Sequence, residues 1–189
     1  MVPWKQILAA LTLAVASLGS AQALQFTWLK PIGVNPYTFV QRTAVSPTGA
    51  FVVAGVTQNS AATDDSADLY INSYTPLGIL SWTRIYNSTA DNAEGIRGMA
   101  IDSTGAVIVC GWEALNSSGR QRAFVRKYTR FGGLAWHRTF EGNQAGPAQF
   151  AAVAVDASNN VYVTGTALYA GRSKDLVIAK YSTGGTRLF

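Results

Sequence analysis

The side chains able to do chemistry fall into two groups. Asp64, Asp65 and Asp68 form one acidic cluster, and Asp91, Asn92 and Glu94 form a second. Loop oxygens of this kind are the ligands that Ca²⁺ takes. Their spacing matches no defined calcium loop, so solvated loop carboxylates are the expectation and no metal site is assigned. The other group is basic. Arg120, Arg122, Arg126, Lys127, Arg130 and Arg138 run with no acid among them, interleaved with Phe124, Tyr128, Phe131 and Trp136. Such a mixture can bind single-stranded nucleic acid or, outside the cytoplasm, a cell-surface polyanion. Alternation from Arg122 to Tyr128 spreads the charges over both faces of a strand, which predicts a solvated outer edge and no nucleic-acid surface.

Nothing else in the chain assembles into a reactive constellation. His137 is the only histidine, follows Trp136, and is expected to be exposed without a catalytic partner. Cys110 is the only cysteine, so no intrachain disulfide or cysteine metal cluster can form. Ala54 and Thr164 hold its place in related segments, which predicts a small buried strand residue. The sequence contains no G-x-S-x-G, H-E-x-x-H, P-loop, G-x-G-x-x-G or C-x-x-C. Catalytic, cofactor and metal residues are therefore none. Asp64, Asp65, Asp68, Asp91, Glu94 and Arg120 stay as candidates for ligand contact on loops.

The elements that must position these residues are written three times. Thr43 to Gly55, Met99 to Gly111 and Ala152 to Gly165 each read as strand, tight turn, strand, and their final glycines are 56 and 54 residues apart. A fixed period of that size signals an array of small units. Each copy is followed by a second phrase: Tyr74-Thr75-Pro76-Leu77-Gly78 with Trp82, Tyr128-Thr129-Arg130-Phe131-Gly132 with Trp136, and Tyr181-Ser182-Thr183-Gly184-Gly185 with Phe189. Trp28 extends the tryptophan series one period backwards.

Each unit reads as a four-stranded antiparallel meander, with strands in the second copy near Arg97–Asp102, Ala106–Gly111, Arg122–Thr129 and Leu134–Phe140. Asp102 and Asp156 open turns, where a carboxylate accepts a backbone N–H two residues on; Gly49, Gly105 and Asn159 end them. Phe51-Val52-Val53, Val107-Ile108-Val109 and Val161-Tyr162-Val163 are apolar without alternation, which predicts strands covered on both faces. A small meander buried on both sides and repeated is the blade of a β-propeller. The fold class is thus all-β, with about three blades forming a partial propeller or open arc.

The segment Val153 to Gly165 with Ala179-Lys180-Tyr181 resembles the bacterial seven-bladed β-propeller (SBBP) repeat family. Its blades carry a pattern like A-V-D-x-x-G-N-V-Y-V-T-G followed by K-Y-x-x-x-G-x-x-x-W; the second copy matches fairly and the first loosely. The resemblance implies the architecture and a secreted setting. It brings no catalytic residues.

Residues 1–23 resemble a secretion signal, with Lys5, an apolar run from Ile7 to Leu18, and Ala21-Gln22-Ala23 as a cleavage site. That apolar run is shorter than a bilayer span. The expected organisation is a signal over 1–23, a closing strand over 24–33, blades over 34–86 and 87–140, and an incomplete blade over 141–189. A formal charge of +5 is mild and indicates no particular partner. Together these features predict a secreted or periplasmic binding or structural module with no membrane span after signal removal. Its partners would be itself, further blades, or a surface glycan or polyanion. A fragment of a larger propeller enzyme of hydrolase, lyase or quinone-dependent dehydrogenase type is the alternative.

Overall fold

The computed structural model describes residues 37–58, 67–88, 94–115, 120–142, 146–169 and 173–189. The closing strand and Trp28 lie outside them, as does the proposed signal. Among the described residues eleven strands form three antiparallel sheets in chain order. The first blade is β1 (Tyr37–Val45), β2 (Phe51–Gln58), β3 (Asp68–Tyr74) and β4 (Leu80–Tyr86). The second is β5 (Glu94–Ile101), β6 (Val107–Ala114), β7 (Gln121–Tyr128) and β8 (Leu134–Phe140). The third has β9 (Ala148–Val155), β10 (Val161–Leu168) and β11 (Lys174–Tyr181). A fourth strand only begins there, through a bridge between Tyr181 and Arg187 and the bond from the Lys180 N–H to the Phe189 carbonyl.

The blades form a partial propeller, with the first strand of each innermost, so that β5 packs between β1 and β9. Alternation along β6 then explains its unbroken apolar run. Val107 and Val109 pack toward the first blade with Val52, Ile71 and Trp82, whereas Ile108 and Cys110 pack toward the third with Phe150, Val161 and Val163. Each such side chain contributes about 1.5–3 kcal/mol when fully buried. In β10 one face is open, since Thr164 is exposed and Tyr162 half-buried. The expectation of two covered faces fails for this strand because no described blade lies beyond it.

The repeated glycine that closes each copy has a steric cause. A Cβ on Gly111 would lie 1.8 Å from the Gly95 carbonyl oxygen, and one on Gly165 would lie 2.0 Å from that of Gln149. Register shifts sit beside both positions, between Ile96 and Gly98 and between Thr164 and Gly165. These β-bulges drive the first strand against the second, where only glycine fits.

Candidate functional site

Antiparallel meandering separates the connections into two ends. The short turns lie at one end. The other carries the connections 59–67, 87–93, 115–120, 141–147 and 169–173, of which 59–66, 89–93, 116–119, 143–145 and 170–172 lie outside the described residues. Asp64, Asp65 and Asp91 belong to these connections. Asp68 begins β3, Glu94 begins β5, and Arg120 immediately precedes β7, so all three stand at the base of the same end. Glu94 corrects the expectation of a solvated loop acid: it is a strand residue, only 3% exposed.

Between the first and second blades this base is a buried charge cluster. Glu113, fully enclosed, accepts from Arg122 Nε at 2.7 Å on one oxygen and from Arg126 Nη2 at 3.0 Å on the other. The Arg126 guanidinium also lies 3.3 Å from the centre of the Tyr86 ring of the neighbouring blade, a cation–π contact across the interface. Arg120 reaches Glu141 at 3.6 Å at the rim. The basic run is a solvated edge only in part: Arg130 and Arg138 are exposed, whereas its middle is not. Both faces of β7 are covered, so Arg126 and Lys127 are buried and meet acids outside their own strand: Glu113 on β6, and Asp102 in the turn after β5 at 2.7 Å.

Glu94 and Glu113 are direct cross-strand partners. Burial alone would raise the pKa of Glu113, but the hydrogen bonds and charges of Arg126 and Arg122 outweigh it and hold the group below its ordinary value. Among the described residues Glu94 has no such cation. Burial pushes it up to about 7, partly offset by the Ser88 N–H that its Oε1 accepts at 2.8 Å, while Asp68 and Glu113 add repulsion. Its Oε2 has no partner among the described residues. His137, expected to be exposed, is half-buried with Nε2 3.9 Å from Glu113. Burial and the Arg126 charge lower its pKa to about 4, so at neutral pH it is an uncharged neighbour.

Two adjacent carboxyls with separated pKa values are the raw material of acid–base chemistry. Here both are sealed from solvent, and Glu113 has each oxygen committed to an arginine. What the arrangement does is hold the bases of the variable loops. The same cross-strand pair is Thr38 with Thr57 in the first blade and Ala148 with Ala167 in the third. The position is thus free to change from copy to copy.

The opposite end is built from repeats. Asp102 Oδ1 accepts from the N–H groups of Thr104 and Ala106 at 2.9 and 3.0 Å, and Asp156 Oδ1 from those of Ser158 and Asn160 at 2.9 and 2.8 Å. Both aspartates are turn formers, as expected. Asn159 takes the left-handed conformation at φ 61°. Cys110 is fully buried, its thiol raised to about 12 by burial, and is a core residue.

Reading the sequence missed the clasp between blades at this end. Trp82 Nε1 donates to the Arg130 carbonyl at 2.9 Å, and Trp136 Nε1 donates to that of Thr183 at 2.9 Å. Two residues on, Arg84 and Arg138 donate through Nε to the carbonyls of Gly132 and Gly185. A Cβ on Gly132 or Gly185 would sit 2.7 Å from the tryptophan ring above it. The repeated Trp-x-Arg was the available signal. Beside the clasp lie two adjoining grooves of about 370 and 630 Å³ that share Thr48, Thr104, Gly105, Arg130 and Phe131. Phe131 is exposed there.

Among the described residues no group of three or more His, Cys, Asp or Glu side chains is placed to hold a metal ion, and no helix is long and apolar enough to cross a membrane. No family model matches the chain, and no curated protein matches it. Among solved structures, the lignostilbene dioxygenase of Pseudomonas brassicacearum aligns at 14% identity with a TM-score of 0.48, over 76% of this chain and 35% of that one. The chain spans 35% of that enzyme's length.

Proposed function

We propose that the chain is an exported propeller-repeat protein of the SBBP type, acting as a binding or structural module outside the cytoplasm. The observation that carries this reading is the division between its ends. Turn atoms at one end are used to join blades, while the other end offers unlike connections on rigid strand bases, the usual location of binding groups. Asp68 and Arg120, at the strand bases of that end, with Asp64, Asp65 and Asp91 in the adjoining sequence, are the candidate ligand groups, and a surface glycan or polyanion is the ligand class. The segment over 1–23 supports export; N-terminal sequencing of secreted material should begin near Leu24, and retention of Met1 would contradict it.

The test is a screen of glycans and polyanions against the full chain and a variant carrying Asp64→Asn, Asp65→Asn and Arg120→Gln. Binding should be lost or redirected in the variant. Binding that responds only to changes at Ser103 or Thr104 would overturn the reading. A fragment of a larger propeller enzyme is the second reading, and turnover of any screened compound would promote it. For assembly, Leu176 and Ile178 are exposed on the far face of the third blade. A further blade or a second copy would cover them, and light scattering after size exclusion should show self-association; a stable monomer would exclude it.

A further inference from the structure

The inner strands meet at their bulges. Each carries one extra residue opposite its second strand, Gln41 in β1, Arg97 in β5 and Ala151 in β9, followed by Arg42, Gly98 and Ala152. Arg42 ties the first two blades together here. Its Nε donates to the Arg97 carbonyl at 2.7 Å and its Nη1 to the Gln41 carbonyl, while Gln41 Oε1 accepts from the Ile96 N–H at 2.7 Å. Arg84 and Arg138 grip their neighbouring blades through the same fork, Nε to a carbonyl across the interface and Nη1 to the carbonyl just before them. The Arg42 guanidinium is thus fixed by backbone, with Nη2 left over in an exposed position.

Arg97 is placed differently. Its side chain is exposed and makes no hydrogen bond or ion pair with any described residue. Because Arg42 is bonded to the Arg97 backbone, the two guanidiniums stand within about one side chain's reach of each other. Like charges that close disfavour one another. Nothing described offsets them, since β1, β5 and β9 hold a single acid, Glu94, which is buried opposite Glu113. On the other side of Arg97 the third blade closes in: a Cβ on Gly98 would lie 3.1 Å from the Ala152 Cα. Ala151 and Ala152 are exposed there and bring neither an acid nor a bulky side chain.

We propose that Arg42 and Arg97 form an anion site on the inside of the arc, taking a tetrahedral oxyanion, sulfate or phosphate, as the free ion or as an ester on a larger molecule. A guanidinium offers a planar fork that matches two oxygens of such a group, and one already fixed by carbonyls gives up little freedom on binding. Arg42 supplies the fixed fork and Arg97 the second charge. The bound anion removes the repulsion between them. This site uses neither the candidate groups of the loop end nor the grooves of the turn end, so it goes beyond the binding reading above.

Nitrogen–proton NMR of the arginine Nε–H groups in the full chain tests it, with sodium sulfate titrated against sodium chloride at constant ionic strength and heparin run in parallel. The Arg42 and Arg97 signals should shift and saturate, whereas those of Arg84 and Arg138, held by the same fork, should stay in place. A shift with sodium sulfate alone assigns a free ion, and a shift with heparin only assigns an ester on a polymer. Arg97→Gln keeps the backbone carbonyl that holds Arg42, so the unliganded Arg42 signal should persist while its response weakens by roughly tenfold or more, as the loss of one charge-assisted hydrogen bond requires. No response to either probe, an equal response at all four arginines, or an Arg42 response unchanged by Arg97→Gln overturns the proposal.

Discussion

The two ends of the interface between the first and second blades are held by different forces. At the turn end, a neutral indole N–H and a guanidinium meet backbone carbonyls, and a glycine makes room for the ring. At the loop end, buried carboxylates and guanidiniums face one another with Tyr86 between the blades. Backbone carbonyls are supplied by any sequence that keeps the turn, so the same clasp recurs between the second and third blades. A charge cluster requires particular partners, and the other two blades replace Glu94 and Glu113 with threonines or alanines. The repeated end is therefore the scaffold, and the unlike end is where individual character is built.

The largest effect should come from breaking the loop-end cluster. Glu113→Ala leaves Arg126 buried without its carboxylate, and loss of one member of a buried pair costs about 4 kcal/mol. Urea midpoints at neutral pH should register it. Acidification acts in the same direction, because a group held below its ordinary pKa contributes stability that is lost as pH falls through the folded value. Glu113 and Asp102 should therefore make the fold acid-sensitive.

At the turn end, Trp136→Leu should cost about 3 kcal/mol through lost packing over Gly185 and Tyr181. Trp136→Phe should cost less, since a ring remains and the lost hydrogen bond contributes about 1 kcal/mol. Equal costs for the two variants would mean that the ring does not seat the turn.

Glu94 gives a smaller change of opposite sign. Its pKa is about 7 in the fold against an ordinary 4.5, so the unfolded chain binds fewer protons between those values and stability falls as pH rises through that window. Glu94→Gln keeps an acceptor for Ser88 and removes the charge. It should stabilise the protein by about 2 kcal/mol at pH 8 and by nothing near pH 4. A pH-independent effect would contradict the burial of a carboxylate that no described cation faces.

The repeat carried most of the architecture, because turn aspartates, positive-φ positions and tight glycines answer to local backbone geometry. Leu134–Phe140 was legible to the residue, while the strands around it extend further into the loops than composition suggested. The charged site was not legible. Alternation implies solvent on one face of a strand only when one face is open, and a blade between two others has none. Arg126 and Lys127 thus found partners across strands, at Glu113 and Asp102, that no spacing along the chain announces. The tryptophan series was visible as a period, but its partner is a carbonyl 47 or 48 residues away, and every residue has a carbonyl.

Hydrogen exchange of the full chain with and without heparin, as a probe polyanion, tests the division between the ends most directly. Added protection should fall on peptides containing Glu94 and Arg120, at the base of the unlike connections, and leave those containing Ser103–Gly105 and Arg130–Gly132 unchanged. Protection confined to the turn end, over the grooves beside Phe131, would contradict the assignment and move the binding face to the opposite side of the arc.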